Sequence, residues 1–357
     1  MLILPVMTMH FVKNTEPIKM GVAFGVLEPG AWVMQDQNAF ECAMLAKRGS
    51  VRLESFATNG DAAHPTLIMR SGAIGDLLLA MPALRAWRAA NPGWPVHLSC
   101  LPKHAALFEG INLVDQFLPY PLPDRLLMDY ARVISLENVI ENESEQHATD
   151  AFAQKLDHVK VTDYRPDLRV TTVERETAAH LYKRKRPLLG MQLRATVRNR
   201  DYPMHLWAQV FIELENRGWE ILLLGRNGEI PGMPPNLRRP FIRDLSTDQL
   251  TIRQTAAVIS VCDAFLGPDS GLIQIARALD IPAVGLYGPI RWQTRVGKDD
   301  RVTALTGVGA CAGCGWNIHG GHHFPPDQPC RERKLCHVLA SIEPARVVAK
   351  VDELRPK

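Results

Sequence analysis

The stretch Ala264-Phe-Leu-Gly-Pro-Asp-Ser-Gly-Leu-Ile-Gln-Ile-Ala-Arg-Ala-Leu-Asp-Ile-Pro-Ala-Val-Gly-Leu-Tyr-Gly288 reads as strand, tight turn, helix and strand. Ala264–Gly267 and Ala283–Gly288 are short apolar runs bounded by Gly and Pro, as buried parallel strands are. Between them, Leu272–Leu279 carries apolar residues at helical spacing, so the unit predicts two parallel strands joined by a crossover helix. Ligands of such sheets bind where strand ends and loops converge.

The same rhythm extends outward. Upstream lie a strand over Leu188–Leu193, a helix over Met204–Arg217 closed by Gly218, a strand over Glu220–Gly225 and a helix over Leu250–Ser260. An earlier series contains a strand at Thr66–Arg70, the turn Ser71-Gly-Ala-Ile-Gly-Asp76 and a helix over Leu77–Ala90. Strands at Val96–Cys100, Gln116–Pro119 and Arg132–Leu136 follow. The expected fold class is therefore α/β, with two Rossmann-like doubly wound halves facing a cleft. Val173–Pro187 is charged and reads as the linker, with Lys183-Arg-Lys-Arg-Pro as a solvated run. Ahead of both halves, Gly21–Val26, Ala31–Met34 and Ser50–Phe56 are strand-like, with Glu28-Pro-Gly30 as a turn, so a small β-rich module is expected there. The expected domains are 1–63 for that module, 64–180 for an acceptor-side half and 181–357 for a donor-binding half with a Cys-rich finger at 308–337.

The 357 residues are 46% hydrophobic and 22% charged, enough chain and apolar content for two cores without disulfide staples. A net charge of +3 suits a phosphate-bearing ligand and is too small to call for nucleic acid. The start, Met1-Leu-Ile-Leu-Pro-Val-Met, has no basic segment before its apolar run and no small-residue cleavage site after it. It is therefore not read as a signal peptide. No run of about eighteen apolar residues occurs, which argues against a transmembrane helix. A cytoplasmic location is expected.

Two turns carry the candidate chemistry. Gly72 and Gly75 allow close backbone approach after a strand, and the next helix offers its N-terminal amides. Asp76 can cap that helix or act as a general base on an acceptor hydroxyl; the residues alone leave both open. In the second turn, the amides of Ser270, Gly271 and Leu272 form an anion cradle at a helix N-terminus, with Asp269 beside them. The competing reading is a plain N-cap with no ligand.

Four of the seven cysteines, Cys311, Cys314, Cys330 and Cys336, cluster in a stretch rich in Gly, His and Pro. A C-x-x-C pair with two further thiols suits tetrahedral zinc or iron, and a metal would order a segment with little apolar content. Reduced thiols or one disulfide are the alternative. His319, His322, His323 and His337 are spare ligands, and Cys42, Cys100 and Cys262 read as ordinary buried cysteines.

Gly72-Ala-Ile-Gly-Asp76, followed by a helix carrying Met81-Pro-Ala-Leu84, resembles the opening motif of the heptosyltransferase family, glycosyltransferase family 9. The resemblance implies a GT-B arrangement, an ADP-heptose donor and Asp76 as the catalytic base, with Gly72 and Gly75 shaping the turn. Leu193-Arg-Ala-Thr-Val-Arg-Asn-Arg-Asp-Tyr-Pro203 is similar to the segment that meets the donor diphosphate. It assigns Thr196 and Arg200 that task; the family usually has Lys at the latter, and Arg brings a planar fork instead. Leu222-Leu-Leu-Gly-Arg-Asn-Gly-Glu229 is similar to the strand end where a glutamate binds the nucleoside, which implies Glu229. The Asp269-Ser-Gly271 stretch matches the family's Asp-Ser/Thr-Gly motif, with Asp269 on sugar hydroxyls. Gln274 stands where the family commonly has His, and Gln cannot carry charge. The resemblance covers Thr66 to Lys357. It is nearer to the protein-modifying autotransporter heptosyltransferases, which carry an extra N-terminal module and an iron-binding four-cysteine finger.

The expected activity is metal-independent, single-displacement transfer of a sugar from a nucleotide donor to a hydroxyl of lipopolysaccharide core or protein. No cofactor is expected for the transfer step, no Asp-x-Asp motif being read in the donor-binding stretches; the finger would hold a structural metal. Oligomerisation is compatible with these features. Rival readings are a non-catalytic sugar-nucleotide binder and a nucleic-acid-modifying transferase. A nicotinamide oxidoreductase is disfavoured because no G-x-G-x-x-G follows the first strand.

Overall fold

The computed structural model describes residues 7–14, 20–22, 25–27, 32–35, 51–58, 65–122, 124–127, 130, 132–141, 145–182, 186–226, 241–298, 301–315 and 336–356. Its first elements form a small antiparallel module. In it β1 (Met7–Asn14) lies between β4 (Trp32–Gln35) and β5 (Val51–Thr58), and β2 (Met20–Val22) pairs with β3 (Gly25–Leu27). The expected Glu28-Pro-Gly30 turn lies outside the described residues.

The first parallel sheet contains β6 (Thr66–Met69), β7 (Val96–Cys100), β8 (Gln116–Pro119) and β9 (Arg132–Ser135), in the order β8-β7-β6-β9. The chain leaves β6 through helix α1 (Ile74–Ala90) and builds β7 and β8 on one side. It then crosses to place β9 on the other, so the switch point lies between β6 and β9. Helix α1 starts three residues before the expected Leu77, because Asp76 is its third residue and closes its first turn from inside. Strong helix formers carry it through Pro82, whose missing amide would break a weaker helix. Its buried face, Leu77 to Leu84 with Trp87, packs on the sheet and on helix α2 (Ala148–Lys155).

The expected linker is helical over much of its length. Thr171 accepts from the Glu174 amide while Glu174 closes back on the Thr171 amide, and this capping box starts helix α3 (Thr172–Leu181). Arg253, on helix α5 (Ile252–Ile259), pairs with Glu174 and docks α3 against the second lobe. Of the basic run, Lys183 to Lys185 lie outside the described residues.

The second sheet is parallel throughout: β10 (Leu188–Gln192), β11 (Glu220–Leu224), β12 (Ile242–Asp244), β13 (Ala264–Pro268), β14 (Ala283–Tyr287) and β15 (Val302–Thr306). Their order is β12-β11-β10-β13-β14-β15, with the switch point between β10 and β13. Helix α4 (Met204–Asn216) and the C-terminal Pro344–Asp352 helix cover one face, around buried Trp207 and Trp219. Helix α6 (Gly271–Ala278) follows β13 and packs against α1 of the first lobe. Among the described residues no helix is long and apolar enough to cross a membrane.

Candidate functional site

Both switch points open toward one another through the contact of α1 with α6. A Cβ placed on Gly75 would stand 3.3 Å from the Cα of Gly271, and one on Gly271 would stand 3.1 Å from the Ile74 Cβ. Only glycines let two helix N-termini, one from each lobe, approach so closely. Each end presents unpaired amides and the positive pole of its helix.

On the first lobe, Asp76 serves the cap that the sequence left open. Its Oδ2 accepts from the Ala73 amide at 3.0 Å and from Arg70 Nη2 at 2.9 Å. Its side chain remains about a quarter exposed (24%). Arg70, at the end of β6, is fully buried. Burial alone would weaken its charge, but Asp76 and Glu141 beside it more than offset that, and its pKa is raised. Gly72 sits directly over this pair: a Cβ there would stand 2.5 Å from Arg70 Nε and 2.6 Å from Asp76 Oδ2. Glu137, just past β9, accepts from the Ser71 amide and, at 2.9 Å, from the Ser71 hydroxyl, fixing the turn across the switch point.

His104, on the 3₁₀ helix Pro102–Phe108, lies against the Gly72 backbone with Asp76 and Arg226 in its field. Burial, reinforced by Lys103, pushes its pKa down, so the ring is neutral near pH 7. Arg70, Glu137, Glu141 and His104 were not singled out from sequence. They reach the turn from the end of β6, the turn after β9 and the 3₁₀ helix after β7, and no local pattern marks them.

On the second lobe, Ser270 is the N-cap residue of α6 but makes no side-chain cap bond. Its hydroxyl instead reaches Gln192 Oε1 at the end of β10, bridging the switch point. The first amides of α6 are thus left without a cap from that side chain. Asp269 is buried, and Arg200 Nη1 stands 3.2 Å from its Oδ2. Tyr287 lies beneath them; complete burial, with Asp269 close by, raises its hydroxyl pKa well above the usual value. Thr196 Oγ1 accepts from Arg226 Nη2 at 3.1 Å, which joins the ends of β10 and β11. Arg226 was quoted in the nucleoside stretch but given no role. The structure therefore gathers Gly72, Gly75, Asp76, Asp269, Ser270 and Gly271 at the meeting of the lobes. Leu272 contributes its amide from the first turn of α6, while its side chain joins the core.

Gln274 lies beside Gly75, whose Cβ would stand 3.8 Å from the Gln274 Cγ. It is 2% exposed within the contact of α1 with α6, and its Oε1 accepts from Arg277 Nη1 at 3.1 Å. Glu229 lies outside the described residues.

The Cys-rich loop is fastened to the strand end after β14. Gly313 donates to the Gly288 carbonyl at 2.8 Å and Gly315 to the Pro289 carbonyl at 2.7 Å. Gly313 needs its freedom, since its φ is +71° and Arg291 packs against it. Cys314 donates its amide to the Cys311 carbonyl at 3.1 Å, closing the C-x-x-C turn. Cys336 is buried, which pushes its thiol pKa up to about 11, with Cys314 and Cys311 adding to the rise. Cys330 and three of the spare histidines, His319, His322 and His323, lie outside the described residues. Among those described, no three His, Cys, Asp or Glu side chains are gathered as a metal ion needs.

Residues 132–310, half of the chain, match the family model described as glycosyltransferase family 9 (heptosyltransferase). Lipopolysaccharide heptosyltransferase 2 of Salmonella typhimurium is 30% identical over 112 residues, covering 29% of this chain and 32% of that protein. Its counterpart in Escherichia coli K12 is 26% identical over 133 residues, covering 35% and 38%. The chain thus matches about a third of the length of the curated relatives, 32% of one and 38% of the other.

Two solved structures extend the likeness to the whole fold. The E. coli ADP-heptose lipopolysaccharide heptosyltransferase II superposes with a TM-score of 0.63 at 15% identity, covering 81% of this chain and 98% of that one. TibC of enterotoxigenic E. coli H10407, described as an iron-containing dodecameric glycosyltransferase, gives 0.62 at 15% identity, covering 98% and 92%. The two facing parallel-sheet lobes are the GT-B arrangement of these proteins. With the profile match spanning β9 to the Cys-rich loop, the chain belongs to glycosyltransferase family 9, the heptosyltransferase family.

Proposed function

We propose that this protein transfers a sugar, heptose, from a nucleotide donor such as ADP-heptose to an acceptor hydroxyl on lipopolysaccharide core or protein. The carrying observation is that the Asp76 turn of one lobe abuts the Asp269–Leu272 helix end of the other through Gly75 and Gly271. A structural relative is described in complex with ADP-D-β-D-heptose, which supports the donor class.

In this reading the acceptor hydroxyl gives its proton to Asp76 as its oxygen attacks the anomeric carbon. The bond from that carbon to the diphosphate breaks, and the nucleoside diphosphate leaves with the electron pair. Its charge is met by the α6 amides and by Arg200, assisted by Thr196, without a metal ion. Asp269 holds sugar hydroxyls, while Gly72 and Gly75 keep the turn low beneath the reacting groups. Leu272 serves through its amide, and Gln274 through the packing it gives α6. Closure of the lobes excludes water that would hydrolyse the donor. Glu229 is assigned to the nucleoside on the sequence resemblance alone.

Domains 1–63, 64–180 and 181–357 are proposed on the same footing, with the first as the selector of acceptor. A structural zinc or iron in the finger is proposed from the Cys311–Cys314 turn and the Cys336 thiol near it, with Cys330 as fourth ligand. The iron described for TibC supports that reading. Nucleotide sugars are cytoplasmic metabolites, so the cytoplasm is the proposed compartment. Oligomerisation, for which TibC is the precedent, is tested by light scattering.

The deciding experiment follows ADP release from ADP-heptose with and without acceptor, in wild type and Asp76→Asn. Acceptor-dependent release in wild type, lost by about 10²-fold or more in the variant with donor affinity retained, is expected. Wild-type turnover in the variant would remove the base assignment. Binding without release in wild type would make the chain a non-catalytic binder.

A further inference from the structure

We propose that Arg70 is the positioning residue of Asp76, binding one carboxylate oxygen so that the other faces the acceptor hydroxyl. The inference rests on the reading of Asp76 as the base.

Arg70 sits at the carboxyl end of β6 with no exposed side-chain surface. Its Nη1 donates to the Leu136 carbonyl at 2.8 Å and to Glu141 Oε2 at 3.3 Å. Its Nη2 donates to Glu141 Oε1 at 2.8 Å and to Asp76 Oδ2 at 2.9 Å. The guanidinium also lies over the Phe152 ring, 5.6 Å from its centroid. A planar fork held on this many sides has one orientation, so the atom it offers Asp76 is fixed in space.

The two bonds of Asp76 fall on a single oxygen. Oδ2 takes both the Arg70 guanidinium and the Ala73 amide, and Oδ1 takes neither. Capping and base catalysis therefore divide between two atoms of one carboxylate: Oδ2 is structural, and Oδ1 is the proton acceptor. Gly72 is part of the same device, because a side chain there would strike Arg70 Nε and Asp76 Oδ2 together.

The charged surroundings of Asp76 are few. Arg70 adjoins it from β6, Glu141 shares the fork of Arg70, Glu137 is held by Ser71, and His104 is neutral. The facing turn of α6, Gly271-Leu-Ile-Gln274, carries no ionisable side chain. Among the described residues, Arg70 is the cation that pairs with Asp76.

The test compares Arg70→Gln and Arg70→Lys with wild type for kcat, acceptor KM and donor Kd. Expected for Arg70→Gln are a fall in kcat of about tenfold or more and donor Kd within about twofold. Arg70→Lys, which keeps the charge but loses the fork, should recover part of that kcat at unchanged donor Kd. A folded Arg70→Gln with kcat within about twofold of wild type overturns the proposal, and so does one whose donor Kd rises in step with the fall in kcat, as a merely structural arginine would give.

If Arg70→Gln does not fold, Glu141→Gln decides. Glu141 is 40% exposed and shares the same guanidinium. Its neutral variant takes the charged acceptor from Arg70 Nη1 and Nη2 and should lower kcat severalfold with donor Kd within about twofold; a folded variant with wild-type kcat overturns the proposal. Asp76→Asn, run alongside, separates the two ideas. Wild-type turnover in that variant sinks the base assignment. An inactive Asp76→Asn with wild-type kcat in the folded Arg70 or Glu141 variants sinks this inference alone.

Discussion

Gly75 and Gly271 meet backbone to backbone: a Cβ on the second would lie 3.2 Å from the amide nitrogen of the first. This contact joins the lobes where each presents a helix N-terminus. The spacing between the proposed base and the proposed diphosphate cradle depends on it.

Gly271→Ala should separate those ends. The added methyl meets Ile74 and the Gly75 backbone, neither of which is the far end of a flexible side chain. We expect a stability loss of about 1–3 kcal/mol and weaker donor binding, read by denaturant unfolding and calorimetry. Gly75→Ala, whose nearest contact is 3.3 Å from a Cα, should act in the same direction. Wild-type binding in both variants would show that the contact does not set the cleft.

Arg200 and Asp269 should behave as a coupled pair. Both are largely buried, so removing one leaves the other's charge uncompensated. Arg200→Met is expected to weaken donor binding more than tenfold, a loss of about 1.4 kcal/mol or more. Arg200→Lys should retain part of the affinity. Adding Asp269→Asn to Arg200→Met should cost less stability than the two single losses summed, which a double-mutant cycle measures.

His147 predicts instability in acid. Burial first, then Arg277 and Arg295, lowers its pKa from 6.5 to about 3. Its Nδ1 accepts from the Thr149 amide to cap α2, which a protonated ring cannot do. Because the folded value lies below the unfolded one, the neutral ring costs nothing above pH 6.5. Stability is then lost at up to about 1.4 kcal/mol per pH unit as pH falls toward 3. His147→Asn, which can also cap, should flatten that slope in urea unfolding at a series of pH values.

Glu174 adds a second acid-labile contact. The hydrogen bond from Arg253 is the largest cause that lowers its carboxyl from 4.5 to about 2. Here too the folded pKa is depressed, so the pair's contribution is complete above pH 4.5 and disappears as pH falls toward 2. Arg253→Gln should increase hydrogen exchange over Thr172–Leu181 at neutral pH and remove its acid dependence. Unchanged exchange would mean that α3 is held by packing alone.

The strand and helix alternation was readable because buried parallel strands and core helices each carry a local pattern. Thr66–Met69, Val96–Cys100, Glu220–Leu224 and Ala283–Tyr287 lie within a residue of where that pattern puts them. The segment Thr172–Leu181 did not read as a helix, since its composition is charged and only one side chain in it, Ala178, is buried. The Thr171-Thr-Val-Glu174 sequence did contain a usable capping-box signal. Its partner Arg253 lies 79 residues away, beyond any local pattern.

Glycines and a carboxylate at the turn after β6, and a second turn after β13, follow from residue order, because turn chemistry and helix starts are local. Their meeting is not local. Arg70 reaches Glu141 across 71 residues, and Ser270 reaches Gln192 across 78. Strand order creates a switch point only once both sheets have formed. The choice of Oδ2 as the bound oxygen of Asp76, and of Gln274 as an interior residue, arises from packing between distant segments, which the chain acquires only on folding.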